Sequence, residues 1–156
     1  MIPTGLWKLL HLFFAFSYVG SLVVGEWNGR AARVAKDWGQ RALLLKIVQL
    51  SSRVAGLGSL LLLGVFGNLT SVSLGYSMAR DRWLMWVNGL WLLTVLDMAV
   101  LSLPNAGRLA RISAAAAGGA PAEGFDLALS RWRLGNVVQS VLYLASLALM
   151  VFHWRS

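Results

Sequence analysis

Residues 83–108 read WLMWVNGLWLLTVLDMAVLSLPNAGR. At about 1.5 Å rise per residue, a helix over 83–105 is about 34 Å long. That is enough to cross a hydrocarbon core about 30 Å thick. Its one carboxylate, Asp97, falls near the middle. An ionisable group at that depth is costly unless it has a partner, so Asp97 is the first functional suspect. The stretch therefore predicts both a spanning helix and a residue to watch.

The rest of the chain has the same character. Of 156 residues, 58% are hydrophobic and only 13% are charged, and the mean hydropathy is +0.66. Soluble domains carry about 25% charged residues, so a polytopic membrane protein is expected, in the cell inner membrane. Cysteine is absent, which excludes disulfides, thiolate metal sites and cysteine nucleophiles. The net charge of +8 follows the flanks of apolar segments. It points to the positive-inside rule and anionic lipid headgroups, and not to nucleic acid.

Three further spans are predicted, over about 6–25, 54–76 and 134–153, giving an all-α membrane four-helix bundle that forms a single domain over 1–156. Lys8 lies inside the first span rather than before it, and no small-x-small site follows, so a cleaved signal peptide is not expected. The connections 26–53 and 106–133 are basic. In the first, Arg30, Arg33, Lys36 and Arg41 recur at helical spacing beside Leu43, Leu44, Ile47, Val48 and Leu50, which predicts an interfacial amphipathic piece that touches lipid headgroups and runs into the second spanning helix. Residues 113–124, SAAAAGGAPAEG, read as a flexible loop, and Pro104 as the stop or kink of the third span. The stripes Ser17–Ser21–Gly25 and Ser51–Ala55–Ser59, with Gly56, Gly58, Gly64 and Gly67, suit close helix packing.

The basic connections hold Arg30, Arg33, Lys36, Arg41, Lys46, Arg53, Arg108, Arg111, Arg131 and Arg133. The other side holds Lys8, Arg80, Arg82 and Arg155. Both connections are expected in the cytoplasm and both termini outside. Trp7, Trp27, Trp83, Trp86, Trp132 and Trp154 fall near span ends, as aromatic belts do, with Trp91 the exception; His153 reads as an interface anchor. The sequon at Asn68 lies inside a span and is discounted.

Depths can be compared at about 1.5 Å per residue. Asp97 and Tyr18 fall at similar levels, which makes Tyr18 the expected hydrogen-bonding partner. His11 and Asn68 share a level nearer the outer side, with Asn88 further out and Gln139 on the inner half. His11 and Asp97 are about 10 Å apart along the normal. Asp97 reads either as helix glue or as a proton-relay acid. No phosphate loop, zinc spacing or serine–histidine–acid set occurs, so no catalytic or metal-ligating set is expected.

The segment 7–14, WKLLHLFF, with Gly20 downstream, and the segment 131–136, RWRLGN, resemble the first and last helices of the four-helix membrane protoporphyrinogen oxidase family and the related copper-resistance D-type proteins. The run 147–152, LALMVF, is similar to the ending of an uncharacterised family of predicted four-helix membrane proteins in that group. The resemblance implies haem b with His11 as an axial ligand. The oxidases also use a third-helix lysine; at or beside Asn88 this chain has none, and Val137, Val138 and Gln139 replace the glutamate–x–proline after the last-helix asparagine. Those departures argue against oxidase activity.

The resulting expectation is a non-catalytic accessory or assembly subunit of a membrane complex, with lipids and either other membrane subunits or further copies of itself as partners. A haem b-binding redox protein using His11 and a small proton-coupled transporter using Asp97 are the alternatives.

Overall fold

A computed structural model describes residues 3–152. His153, Trp154 and Arg155, the expected anchor, belt residue and outer-side charge, lie outside the described residues. The chain forms four helices, each long and apolar enough to cross a membrane: α1 Thr4–Val34, α2 Trp38–Ser73, α3 Arg82–Ala117 and α4 Phe125–Phe152. Among the described residues there is no strand.

The connections are much shorter than the sequence suggests. The amphipathic piece runs on into the second span as expected, but most of 26–53 and 106–133 is helix: these residues form the basic ends of the four helices. Only 35–37 and 118–124 join them. The first turn is tight because both helix ends are satisfied locally. Asp37 caps α2 by accepting from the Gln40 amide at 2.8 Å. The Arg41 guanidinium donates from Nε and Nη2 to the Ala35 carbonyl at 3.1 and 3.0 Å, and lies 4.6 Å over the Trp38 ring. Residues 113–117 belong to α3: alanine is the best helix former, so the run extends the helix until Gly118 and Gly119. Gly119 (φ 91) and, at the opposite end, Gly75 (φ 83) adopt the left-handed conformation that closes a helix. There the Ala120 amide reaches Ala115 and the Tyr76 amide reaches Ser71.

Pro104 does not stop α3. The helix passes through it behind a π-helical turn, Met98–Ser102. A wider turn absorbs the proline's missing donor and ring. A second π-helical turn, Ser52–Leu57, interrupts α2. The two meet: a side chain on Gly56 would come within 3.1 Å of Met98 Cε and 3.2 Å of Ser21 Oγ. The buried small stripe on α2 is accordingly Ser52, Gly56 and Ser59, one residue off the expected register at its first two positions.

Each helix exceeds the roughly 20 residues a bilayer requires, and the excess lies at one end. There Ala32, Leu45, Val48, Ala106, Leu109, Phe125, Ala128, Leu129 and Trp132 form one core, all outside the expected spans. Counted from the expected span ends at about 1.5 Å per residue, this packed extension is roughly 13–24 Å long. Trp132 belongs to this core and not to an aromatic belt: it is 1% exposed, and its six-membered ring lies over Gly29, where a Cβ would sit 2.6 Å from Cζ3. Its Nε1 is the one buried side-chain polar atom without a hydrogen-bond partner among the described residues.

Within the apolar zone the core is smaller: Tyr18, Leu60 and Met98. α1 packs along α2, and α3 along α4. Near the basic end α2 packs closely on α3, but the two diverge toward the other end. The bundle is thus closed at its basic end and splayed at the other.

Candidate functional site

The deep polar residues gather at the level of the two π-helical turns. Gln139, fully buried on α4, is the hub. Its Nε2 donates to Asp97 Oδ2 at 2.8 Å and to Ser102 Oγ at 2.6 Å, and lies 3.9 Å from Met98 Sδ. Its Oε1 accepts from the Tyr18 hydroxyl at 3.0 Å. Ser102 Oγ also donates to Asp97 Oδ2 at 3.2 Å. Gly135 lets α3 approach, since any side chain there would run into Ser102 Oγ. The expected Asp97–Tyr18 bond is therefore corrected: no direct hydrogen bond joins the two, and the Gln139 amide bridges them.

Ser102 and Met98 carried no signal in the sequence. Residues five apart on an ordinary helix point about 140° away from each other at 3.6 residues per turn. Only the wider π-helical turn sets Asp97 and Ser102 on one face. The chemistry of this cluster is that of a clamp. A carboxamide can accept and donate hydrogen bonds, but it holds no labile proton at neutral pH. Gln139 therefore interrupts any relay from Tyr18 to Asp97 while tying α1, α3 and α4 together.

Above the clamp, where the helices splay, lies a cavity of about 240 Å³. Tyr18, Leu60, Thr94 and Tyr143 line its end nearest the clamp; Leu74, Tyr76, Trp83 and Met150 line its far end, where α1 begins and α4 ends. Three polar contacts frame it. His11 Nδ1 donates to the Leu63 carbonyl at 3.1 Å, with the imidazole lying against Gly67. Asn68 Nδ2 donates to Asn88 Oδ1 at 2.8 Å, joining α2 to α3. Trp91 Nε1 donates to the Leu60 carbonyl at 2.8 Å, with its ring filling the space left by Gly64. Gly58, by contrast, faces open space. The sequon amide of Asn68 is committed inside the bundle.

His11 and Asn68 thus line the same cavity, Asn68 paired with Asn88, and Asp97, Tyr18 and Gln139 form a separate group at its clamp end. Haem b does not fit here. The cavity is smaller than the roughly 300–1,000 Å³ of ordinary small-molecule pockets, and a porphyrin would need more. Among the described residues His11 is the only histidine, no cluster of three metal-ligating side chains occurs, and Asn88 is bonded to Asn68 rather than open to a ligand.

At the basic end Arg33 and Lys36 are exposed, and Arg30 is exposed and paired with Glu26 at 2.7 Å. Arg41 spends its guanidinium on Ala35 and Trp38 as described. No family model matches this sequence, and comparisons with curated proteins and with solved structures likewise find no match.

Proposed function

We propose that the protein is a non-catalytic accessory or assembly subunit of a membrane complex, seated in the cell inner membrane with the helical extension in the cytoplasm and both termini outside. One observation carries this reading. On the extension, α2 has two apolar faces. Leu45 and Val48 enter the core, while Leu43, Ile47 and Leu50 stay 64%, 40% and 61% exposed. At about 100° per residue these three fall within roughly 60° of one another. The apolar zone of α2 is already filled by 54–76, so Leu43 stands about 16 Å beyond it. α2 is continuous from Trp38 to Ser73; with 54–76 as the span, the stripe projects past the lipid rather than lying on it. Exposed apolar stripes of this kind mark contact sites. Lys46 and Arg53 beside it favour a partner helix with acidic flanks.

Photo-crosslinking in native membranes tests the reading. A crosslinker at position 47 is expected to trap a membrane partner that one at Phe16, on the exposed surface of the apolar zone, does not. Leu50→Glu is expected to release the protein from the larger particle on native gels. A 17.0 kDa monomer with no adduct at position 47 would end the proposal.

A further inference from the structure

Independently of any partner, the geometry points to a ligand for the cavity: we propose that it binds an uncharged alkyl alcohol, with the hydroxyl donating to His11 Nε2 and the chain lying toward the far end. Three observations converge. No aspartate, glutamate, lysine or arginine lines the space, so an ionised head would lie unpaired in an apolar site at a cost of several kcal/mol. The shape is elongated: the wall from Thr94 to Trp83 covers eleven residue steps along α3, about 16 Å. That suits a chain better than a ring system.

The third observation is the polarity of the lining. Thr94, Ser71 and Ser146 spend their hydroxyl protons on the carbonyls of Leu90, Gly67 and Leu142. Tyr18 spends its own on Gln139, and Trp91 its indole proton on Leu60. The acceptors are left over. Because a carbonyl takes the His11 Nδ1 proton, the neutral ring keeps its lone pair on Nε2. Asn68 uses its amide protons on Gly64 and Asn88, which leaves Oδ1 accepting nothing from the described residues. One lining donor stays free among the described residues, the Tyr143 hydroxyl at the end beside Tyr18. Around His11 the acceptors are spare and the donors spent, so that part of the site selects a molecule that donates, and a neutral hydroxyl does so without bringing a charge.

The test compares 1-dodecanol, dodecanoate and dodecane by thermal unfolding of the full chain in phosphatidylcholine nanodiscs at pH 8. A filled-cavity variant, Ala15→Phe, serves as the blank for simple partitioning, with Ser146→Phe in reserve if it does not fold. Dodecanol is expected to stabilise saturably, binding about tenfold tighter than dodecane, the factor one net hydrogen bond supplies. Dodecanoate is expected to match the blank. His11→Leu is expected to bring the alcohol-to-alkane ratio to about one while both still bind. The proposal is overturned by dodecanoate binding as well as dodecanol, by an alcohol preference that survives His11→Leu, or by no saturable binding of any of the three.

Discussion

Gln139 holds the Asp97 carboxylate at 2.8 Å with one end of its amide and the Tyr18 hydroxyl at 3.0 Å with the other. One side chain thus links three of the four helices at the depth where an unpaired polar group is most costly. In this arrangement Asp97 Oδ2 accepts from both Gln139 and Ser102.

Gln139→Leu is therefore expected to destabilise the bundle by about 1–3 kcal/mol, because it strands the Asp97, Ser102 and Tyr18 groups together. Asp97→Asn keeps an acceptor for Gln139 and is expected to cost less than about 1 kcal/mol. A double-mutant cycle between positions 97 and 139, read by detergent-titrated unfolding, should return a coupling of about 0.6–1.7 kcal/mol. A coupling near zero would mean that the two residues do not support each other.

The extension makes a second prediction. Gly29 leaves the space that the six-membered ring of Trp132 fills. Gly29→Ala forces that ring to move within a packed core, and overpacking of this kind costs about 1–3 kcal/mol. Trp132→Phe removes the clashing atoms and discards an indole N–H that has no partner. The double variant Gly29→Ala/Trp132→Phe should thus be more stable than Gly29→Ala alone, as measured by the same unfolding titration. If the two substitutions only add, the ring is not what Gly29 accommodates.

The four apolar stretches and the level shared by His11 and Asn68 were legible because span length and rise per residue are nearly independent of tertiary detail. The extension was not, because charge spacing read as a surface feature hides a core. Leu45 and Val48 sit among lysines and arginines, and Trp132 sits between two arginines, which is also how a belt residue reads. On composition the alanine run reads as a flexible loop, although its intrinsic propensity favours helix. The clamp was hidden for a different reason. Two π-helical turns shift the phase of α2 and α3, so the pairing of Asp97 with Ser102, five residues on, is invisible to a 3.6-residue period. No residue type announces those turns in advance; Pro104 signals a disturbance in α3 but not its form.

The fit of the cavity bears on the haem expectation. With Asn88 bonded to Asn68 and a space of about 240 Å³, the purified protein is expected to show no Soret band, whether or not haem is supplied during expression. His11→Ala should leave the visible spectrum unchanged and lower stability by about 1 kcal/mol through loss of the bond to Leu63. A Soret band that His11→Ala abolishes would require α2 and α3 to part further at the splayed end than they do here.

Orientation can be tested directly because the chain has no cysteine of its own. Ser77, in the 74–81 connection, and Ala120, in the 118–124 connection, are both exposed and lie at opposite ends of the bundle. Arginine and lysine crowd the Ala120 end, so that end is expected in the cytoplasm. A single Ser77→Cys should react with a membrane-impermeant maleimide in intact cells, and a single Ala120→Cys only after the membrane is opened. The reverse pattern would place the basic extension outside. It would remove the cytoplasmic partner surface formed by Leu43, Ile47 and Leu50, and put the splayed end of the cavity, lined by Leu74 and Met150, on the inner side.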